Sequence, residues 1–166
     1  MPESGKGGSV MARGSIIFRA EDVPESNATA YPEPYRALNS NRYGRRLGEF
    51  AGLKNFGVNL VRIIPGGQSS CRHAHSAQDE MVLVMHGEIT LETDAGRERL
   101  QPGTWVGFPA GTGDAHRFIN ETNEDVVFLV VGDKARDKVT YPDVDLYGEH
   151  GPDGIFRYFT KDGTPY

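Results

Sequence analysis

A chain of 166 residues can bury one substantial core and is too short for two domains of ordinary size. Its 21 glycines and 10 prolines are spread along the whole length, which favours many short strands over a few long helices. The net charge of −5 resides between Glu121 and Tyr166, where ten acidic face five basic residues, and no basic stripe offers itself to phosphates, so no nucleic-acid partner is expected.

Residues 1–14 are Gly-, Ser- and charge-rich with no apolar period, and read as a disordered N-terminus without a signal-peptide core. Residues 15–52 combine a strand-like Ser15–Phe18 with a Pro- and Tyr-rich run, expected to form an arm packing on the domain that follows. From 53 to 133, the segments GVNLVRII, MVLVMHGEITLET, RERLQPGTWVGF, HRFIN and VVFLVVG alternate with Pro/Gly and Asn/Asp clusters, the rhythm of an all-β domain. Val82, Leu83, Val84 and Met85 are apolar on both faces of their strand, which calls for cover on both sides. The apolar run Val126–Val131 is far too short to cross a bilayer, so no membrane partner is expected. Residues 134–166 are aromatic but irregular and read as a packed tail. The single cysteine, Cys71, cannot form an internal disulfide, in keeping with a cytoplasmic protein.

The chemistry concentrates in GQSSCRHAHSAQDEMVLVMHG, residues 67–87. His73 and His75 project from one face of a strand, because side chains alternate with period two, so both imidazoles can meet one ion. Glu80 stands at an odd offset from His75, so the chain must turn at SAQD for that carboxylate to join them from the next strand. His116 opens the strand HRFIN and can point inward with Phe118 and Asn120. Three imidazoles and a carboxylate form a borderline ligand set, suited to one divalent transition metal: Fe, Mn, Ni, Zn, Co or Cu. An octahedral ion held by four side chains keeps two positions open for substrate, water or dioxygen.

These residues resemble the two signatures of the cupin superfamily. Gly67, His73, His75, Glu80 and Gly87 fit every spacing of the first; Gly103, Pro109, Gly111, His116 and Asn120 fit the second, except that TGDA puts four residues where the pattern has two. The resemblance implies a double-stranded β-helix, a jelly-roll-like barrel with N- and C-terminal extensions, usually homodimeric, with the metal inside. The extensions resemble those of short bacterial single-domain cupins, some of them provisionally labelled sugar-phosphate isomerases.

Around the ligand set, His86 shares the parity of Val82 and Val84, and is a candidate proton shuttle or substrate contact facing the barrel interior. Asp114, in the long turn before His116, is a candidate base or imidazole-orienting group. Arg62, on the face opposite Val61 and Ile63, is a candidate for binding an anionic substrate. Cys71 reads as a small buried hydrophobe, and Arg72 and Arg117 point away from the metal. Tyr141, Tyr147, Tyr158 and Tyr166 read as packing residues, and His150 as exposed. The function this supports is a metal-dependent enzyme acting on a small polar molecule, carbohydrate-like or a carboxylate, by isomerase or epimerase, lyase or dioxygenase chemistry. The alternative is a non-catalytic module that binds metal and a small ligand; an acid or base within reach of the open metal positions would distinguish them.

Overall fold

The structure, a computed structural model, describes residues 17–166. The disorder expected over 1–14 lies outside the described residues, as do Ser15 and Ile16; Ile17 and Phe18 belong to no strand. The arm begins with a short 3-10 turn, Ala20–Asp22, where the Arg19 amide donates to Asp22 Oδ2 at 2.8 Å. It continues through α1 (Tyr35–Leu38), β1 (Arg42–Arg45) and α2 (Leu47–Phe50).

Eight strands follow in the central segment: β2 (Phe56–Ile63), β3 (Ala74–His75), β4 (Glu80–His86), β5 (Ile89–Thr93), β6 (Gly96–Leu100), β7 (Trp105–Phe108), β8 (Arg117–Ile119) and β9 (Val126–Asp133). The C-terminal part adds β10 (Lys138–Tyr141), β11 (Leu146–His150) and β12 (Phe156–Phe159). They form three sheets, ordered β1-β2-β9-β4-β7, β6-β5-β8 and β12-β11-β10-β3. Every ladder between these strands is antiparallel.

The core follows from period-two alternation in the central strands. Val61 and Ile63 of β2, Val82 and Val84 of β4, and Val126 and Phe128 of β9 are each at most 1% exposed. They pack against Ile89, Leu91, Leu100 and Phe118 from the small sheet, closing a barrel. Each such side chain contributes about 1.5–3 kcal/mol on leaving water. The reversal from β4 to β5 needs Gly87, which has φ +75° and whose missing Cβ would stand 3.0 Å from Asp125 O. At Gly67 the demand is close approach instead: a Cβ there would lie 2.7 Å from Ile63 Cγ2.

The opposite face of the five-stranded sheet is apolar as well. Met81 and Met85 of β4 and Trp105 of β7 are roughly half exposed, and Leu83 stands directly across from Trp105 and from Leu129 of β9. The arm does not cover this region; it extends the sheet by pairing β1 with β2, and α2 packs on β2, where a Cβ at Gly48 would meet Val58 N at 2.9 Å.

The tail is more regular than its sequence suggests. Its Gly, Pro and Asp residues mark the turns of two hairpins, and Val139, Tyr141 and Leu146 are buried with Tyr31, Tyr35 and Cys71 in a second core. Pairing of Val139 with His75 joins this sheet to the barrel. Among the described residues no helix is long and apolar enough to cross a membrane.

Candidate metal centre

His73 and His116 face each other across two strand segments as a hydrogen-bonded pair: each backbone N–H donates to the other's carbonyl, at 3.0 and 2.8 Å. Directly opposed residues of an antiparallel pair place their side chains on one face, so the two imidazoles meet, with ring centroids 4.7 Å apart. His75, two residues further along, puts its ring 4.8 Å from that of His73 and 6.2 Å from that of His116. The chain then turns at SAQD. There Asp79 Oδ1 accepts the Ala110 amide at 2.7 Å, so that Glu80 enters at the head of β4 with Oε1 3.4 Å from His116 Nε2. The ring of Phe108 lies flat against His116, 3.6 Å between centroids.

Each histidine on the β3 side has one ring nitrogen committed away from the cluster. His73 Nδ1 lies 3.0 Å from Cys71 O and 3.2 Å from Ser70 Oγ. His75 Nδ1 donates to Asp137 Oδ2 at 2.5 Å. The other oxygen of Asp137 accepts from Ser76 N, Ala77 N and Ser76 Oγ at 2.8, 2.8 and 2.9 Å. Burial alone would raise the Asp137 carboxyl, but the His75 hydrogen bond and these donors hold it below its ordinary value. His75 is thereby fixed in the tautomer that leaves a lone pair on Nε2, and that atom is buried with no hydrogen-bond partner.

Burial and the neighbouring His116 and His75 rings push the His73 imidazole down to about 3, so it is neutral and able to ligate at any ordinary pH. For Glu80, burial acts upward, but the hydrogen bond with His116 and the three imidazoles hold the carboxyl below its usual range. A buried lone pair without a donor, three imidazoles and an ionised carboxylate are the donor set a borderline divalent cation requires, and the residues fit that group. Among the described residues no three such side chains already stand at ligating distances, and His116 Nε2 lies 3.4 Å from Glu80 Oε1.

Beside the cluster lies a cavity of about 220 Å³. His73, Glu80 and His116 form one wall, Phe118, Phe128 and Val130 another, and the arm closes it with Tyr31, Asn39 and Arg42. Three residues singled out from the sequence are elsewhere. Arg62 shares no face with the cavity: Val61 and Ile63 take the inward positions, so Arg62 points out, donating to Glu25 Oε2 and Asp125 Oδ2 at 2.7 Å each, with its guanidinium over the Tyr43 ring. His86 is exposed, because a β-bulge between Val84 and His86 breaks the alternation on which its inward placement rested. Asp114 is exposed too, and its Oδ1 accepts the Asp94 amide at 2.9 Å, pinning two turns together instead of orienting an imidazole.

The remaining residues divide similarly. Cys71 is a buried thiol that burial pushes up, packed in the second core. Arg72 and Arg117 point away, to Asp143 and Glu92. Tyr141 and Tyr158 pack as expected, whereas His150 is half-buried and accepts the Asp137 amide on Nδ1 at 3.1 Å. Asp137 and Arg42 were not singled out from the sequence: one lies in the tail and the other in the arm, where no period or motif marks them.

Fold and site together define a small barrel with a histidine–carboxylate centre in its mouth, and comparison with known proteins agrees. Residues 59–132 match the family described as Cupin domain. The chain is similar to a sugar phosphate isomerase from a cupin superfamily from Silicibacter pomeroyi. Identity is 37%, with a TM-score of 0.85 over 90% of this chain and 96% of that one. It therefore belongs to the cupin superfamily. It is also similar to a protein from Acidithiobacillus ferrooxidans provisionally called a sugar phosphate isomerase, at 30% identity and TM-score 0.68 over 75% of this chain and 80% of that one. The polyketide cyclase RemF from Streptomyces resistomycificus, at 22% identity, TM-score 0.59 and coverage of 70% and 78%, shares the fold. No curated protein matches the chain at a significant level.

Proposed function

We propose that this cupin is a metal-dependent enzyme acting on a small polar molecule, with isomerisation of a carbohydrate-like substrate as its leading reaction. The observation that carries the proposal is the partnerless Nε2 of His75, locked by Asp137 beside two further imidazoles and a carboxylate that line a cavity. His73, His75, Glu80 and His116 would hold the ion. When bound, a divalent cation supplies Lewis acidity toward a substrate carbonyl or hydroxyl. The chain's own groups do the rest: Phe118, Phe128 and Val130 exclude water from one wall of the cavity that Tyr31 also lines. Burial pushes the Tyr31 hydroxyl far up, so it stays neutral there. The similarity to proteins called sugar phosphate isomerases supports the choice among reactions.

The test is elemental analysis of protein purified without a nickel column or chelator, beside His73→Ala. About one equivalent of metal is expected in the wild type and a large loss in the variant; equal content in the two removes His73 from the site. Isomerase chemistry is read as solvent deuterium entering a sugar phosphate at the carbon next to its carbonyl. A second reading, a non-catalytic binding module, is favoured by one observation: His86 and Asp114, the groups nominated for proton transfer, line no part of the cavity. Metal without any deuterium incorporation across aldose and ketose phosphates supports that reading. The proposal includes a cytoplasmic homodimer that packs through the apolar outer face of β4 and β7. Sedimentation equilibrium of wild type and Trp105→Lys checks it, with a shift from dimer to monomer expected.

A further inference from the structure

Arg42 opens β1, whose register against β2 places it opposite Ile63, while Gly44 stands opposite Val61. Both partners are fully buried inside the barrel, so the Arg42 side chain is directed to the interior face. Tyr43, one residue on, pairs with the outward-pointing Arg62. Gly44 makes room for the guanidinium, since a Cβ there would lie 3.3 Å from Arg42 Nη1. The Arg42 side chain lines the 220 Å³ cavity together with His73, Glu80 and His116, and also borders a wider cleft of about 910 Å³.

What sets Arg42 apart is its lack of a partner. Other arginines of the arm and barrel, such as Arg45, Arg46, Arg62, Arg72, Arg97, Arg99 and Arg117, are paired with carboxylates. The Arg42 side chain makes no hydrogen bond or ion pair with any described residue, although it is half-buried and lines the cavity. A guanidinium without a carboxylate partner on a cavity wall leaves its planar fork of donors free for a bidentate anion. Burial pulls its pKa below the ordinary arginine value, against the field of the Glu80 carboxylate, which acts the other way without an ion pair to it.

We propose that Arg42 is the anion receptor of the cavity, binding the carboxylate or phosphate of a small substrate whose remaining oxygens face His73, Glu80 and His116. The assignment rests on the metal-centre reading for the second half of that sentence and on the arm's geometry for the first. The cavity volume lies below the roughly 300–1,000 Å³ of drug-sized sites, which restricts the substrate to a compact polyoxygenated anion.

Calorimetric titration of the full chain with inorganic phosphate, with acetate and with glycerol tests the assignment, on chelator-stripped and on Mn(II)-loaded protein. One of the two anions is expected to bind the stripped wild type, which settles phosphate against carboxylate. Arg42→Gln should weaken that anion by about ten- to hundred-fold while leaving metal content and glycerol response unchanged. Arg42→Lys keeps the charge but loses the planar fork, so it should fall between the two, and it carries the test should the Gln variant fail to fold. Equal anion affinity in wild type and variants, or binding of neither anion to the wild type in either form, overturns the assignment. An Arg42-dependent anion in a wild type that holds no metal leaves Arg42 in place and removes the metal centre. Metal with anion binding indifferent to Arg42 does the reverse.

Discussion

The hydrogen bond from His75 Nδ1 to Asp137 decides which nitrogen of His75 carries the lone pair, and hence whether that ring can ligate at all. Asp137→Asn should reverse the preferred tautomer, because the amide nitrogen is a donor where the carboxylate oxygen was an acceptor. Competition with a metallochromic chelator is expected to show about 10–100-fold weaker metal binding in this variant. His86→Gln and Asp114→Asn, both on exposed positions, should leave metal affinity as in the wild type. The convergence of His73, His75, Glu80 and His116 was legible in the sequence, since HxH alternation and a turn before Glu80 suffice to bring them together. Asp137 was not, because it reaches His75 from 62 positions along the chain, in a stretch with no motif. The choice of Arg62 failed for a related reason: its parity was read correctly, but only the pairing with β1 reveals that the opposite face is the interior and that an arginine of the arm takes the inward position.

At the scale of elements, the arm is held to the barrel by a clasp of charges. Arg62 donates to Glu25 and Asp125, and Arg45 lies 3.9 Å from Glu25. The Arg62 hydrogen bond holds the Glu25 carboxyl below its ordinary 4.5, so the folded state gives up that proton more readily than the unfolded chain. Its contribution is therefore complete above about pH 4.5 and is lost as the pH falls through the lower folded value. In urea titrations between pH 3 and 6, Glu25→Gln should flatten the acid limb of the stability curve relative to wild type. Arg62→Met should cost about 1–2 kcal/mol at neutral pH, by removal of two ion pairs and a cation–π contact. The central strands were legible from β-branched runs between Gly/Pro clusters. The tail strands were not: β10 is only four residues long, and the turns around β11 and β12 dominate their composition.

For the whole molecule, the proposed cation would add to stability by mass action, since the folded chain brings together four donors that the unfolded chain scatters. At metal concentrations about a hundredfold above Kd, the melting midpoint should rise by about 5–10 °C over the chelator-treated protein, measured by differential scanning fluorimetry. The same increment should shrink in Asp137→Asn. Truncating the core is a separate matter. Phe128→Ala should destabilise metal-bound and metal-free protein alike by about 3–5 kcal/mol, because the cavity it leaves lies between the two sheets that form the barrel.

The pairing of Val139 with His75 carries a consequence for how the gene could be trimmed. A product stopped after Asp133 would retain all four proposed ligands and every residue of the family match. It would nonetheless lose β10, the neighbour that steadies the two-residue strand β3, together with the carboxylate that orients its imidazole. Such a minimal barrel should fold around its aliphatic interior and yet bind transition metals poorly, which makes the last thirty-odd residues a working part of the centre.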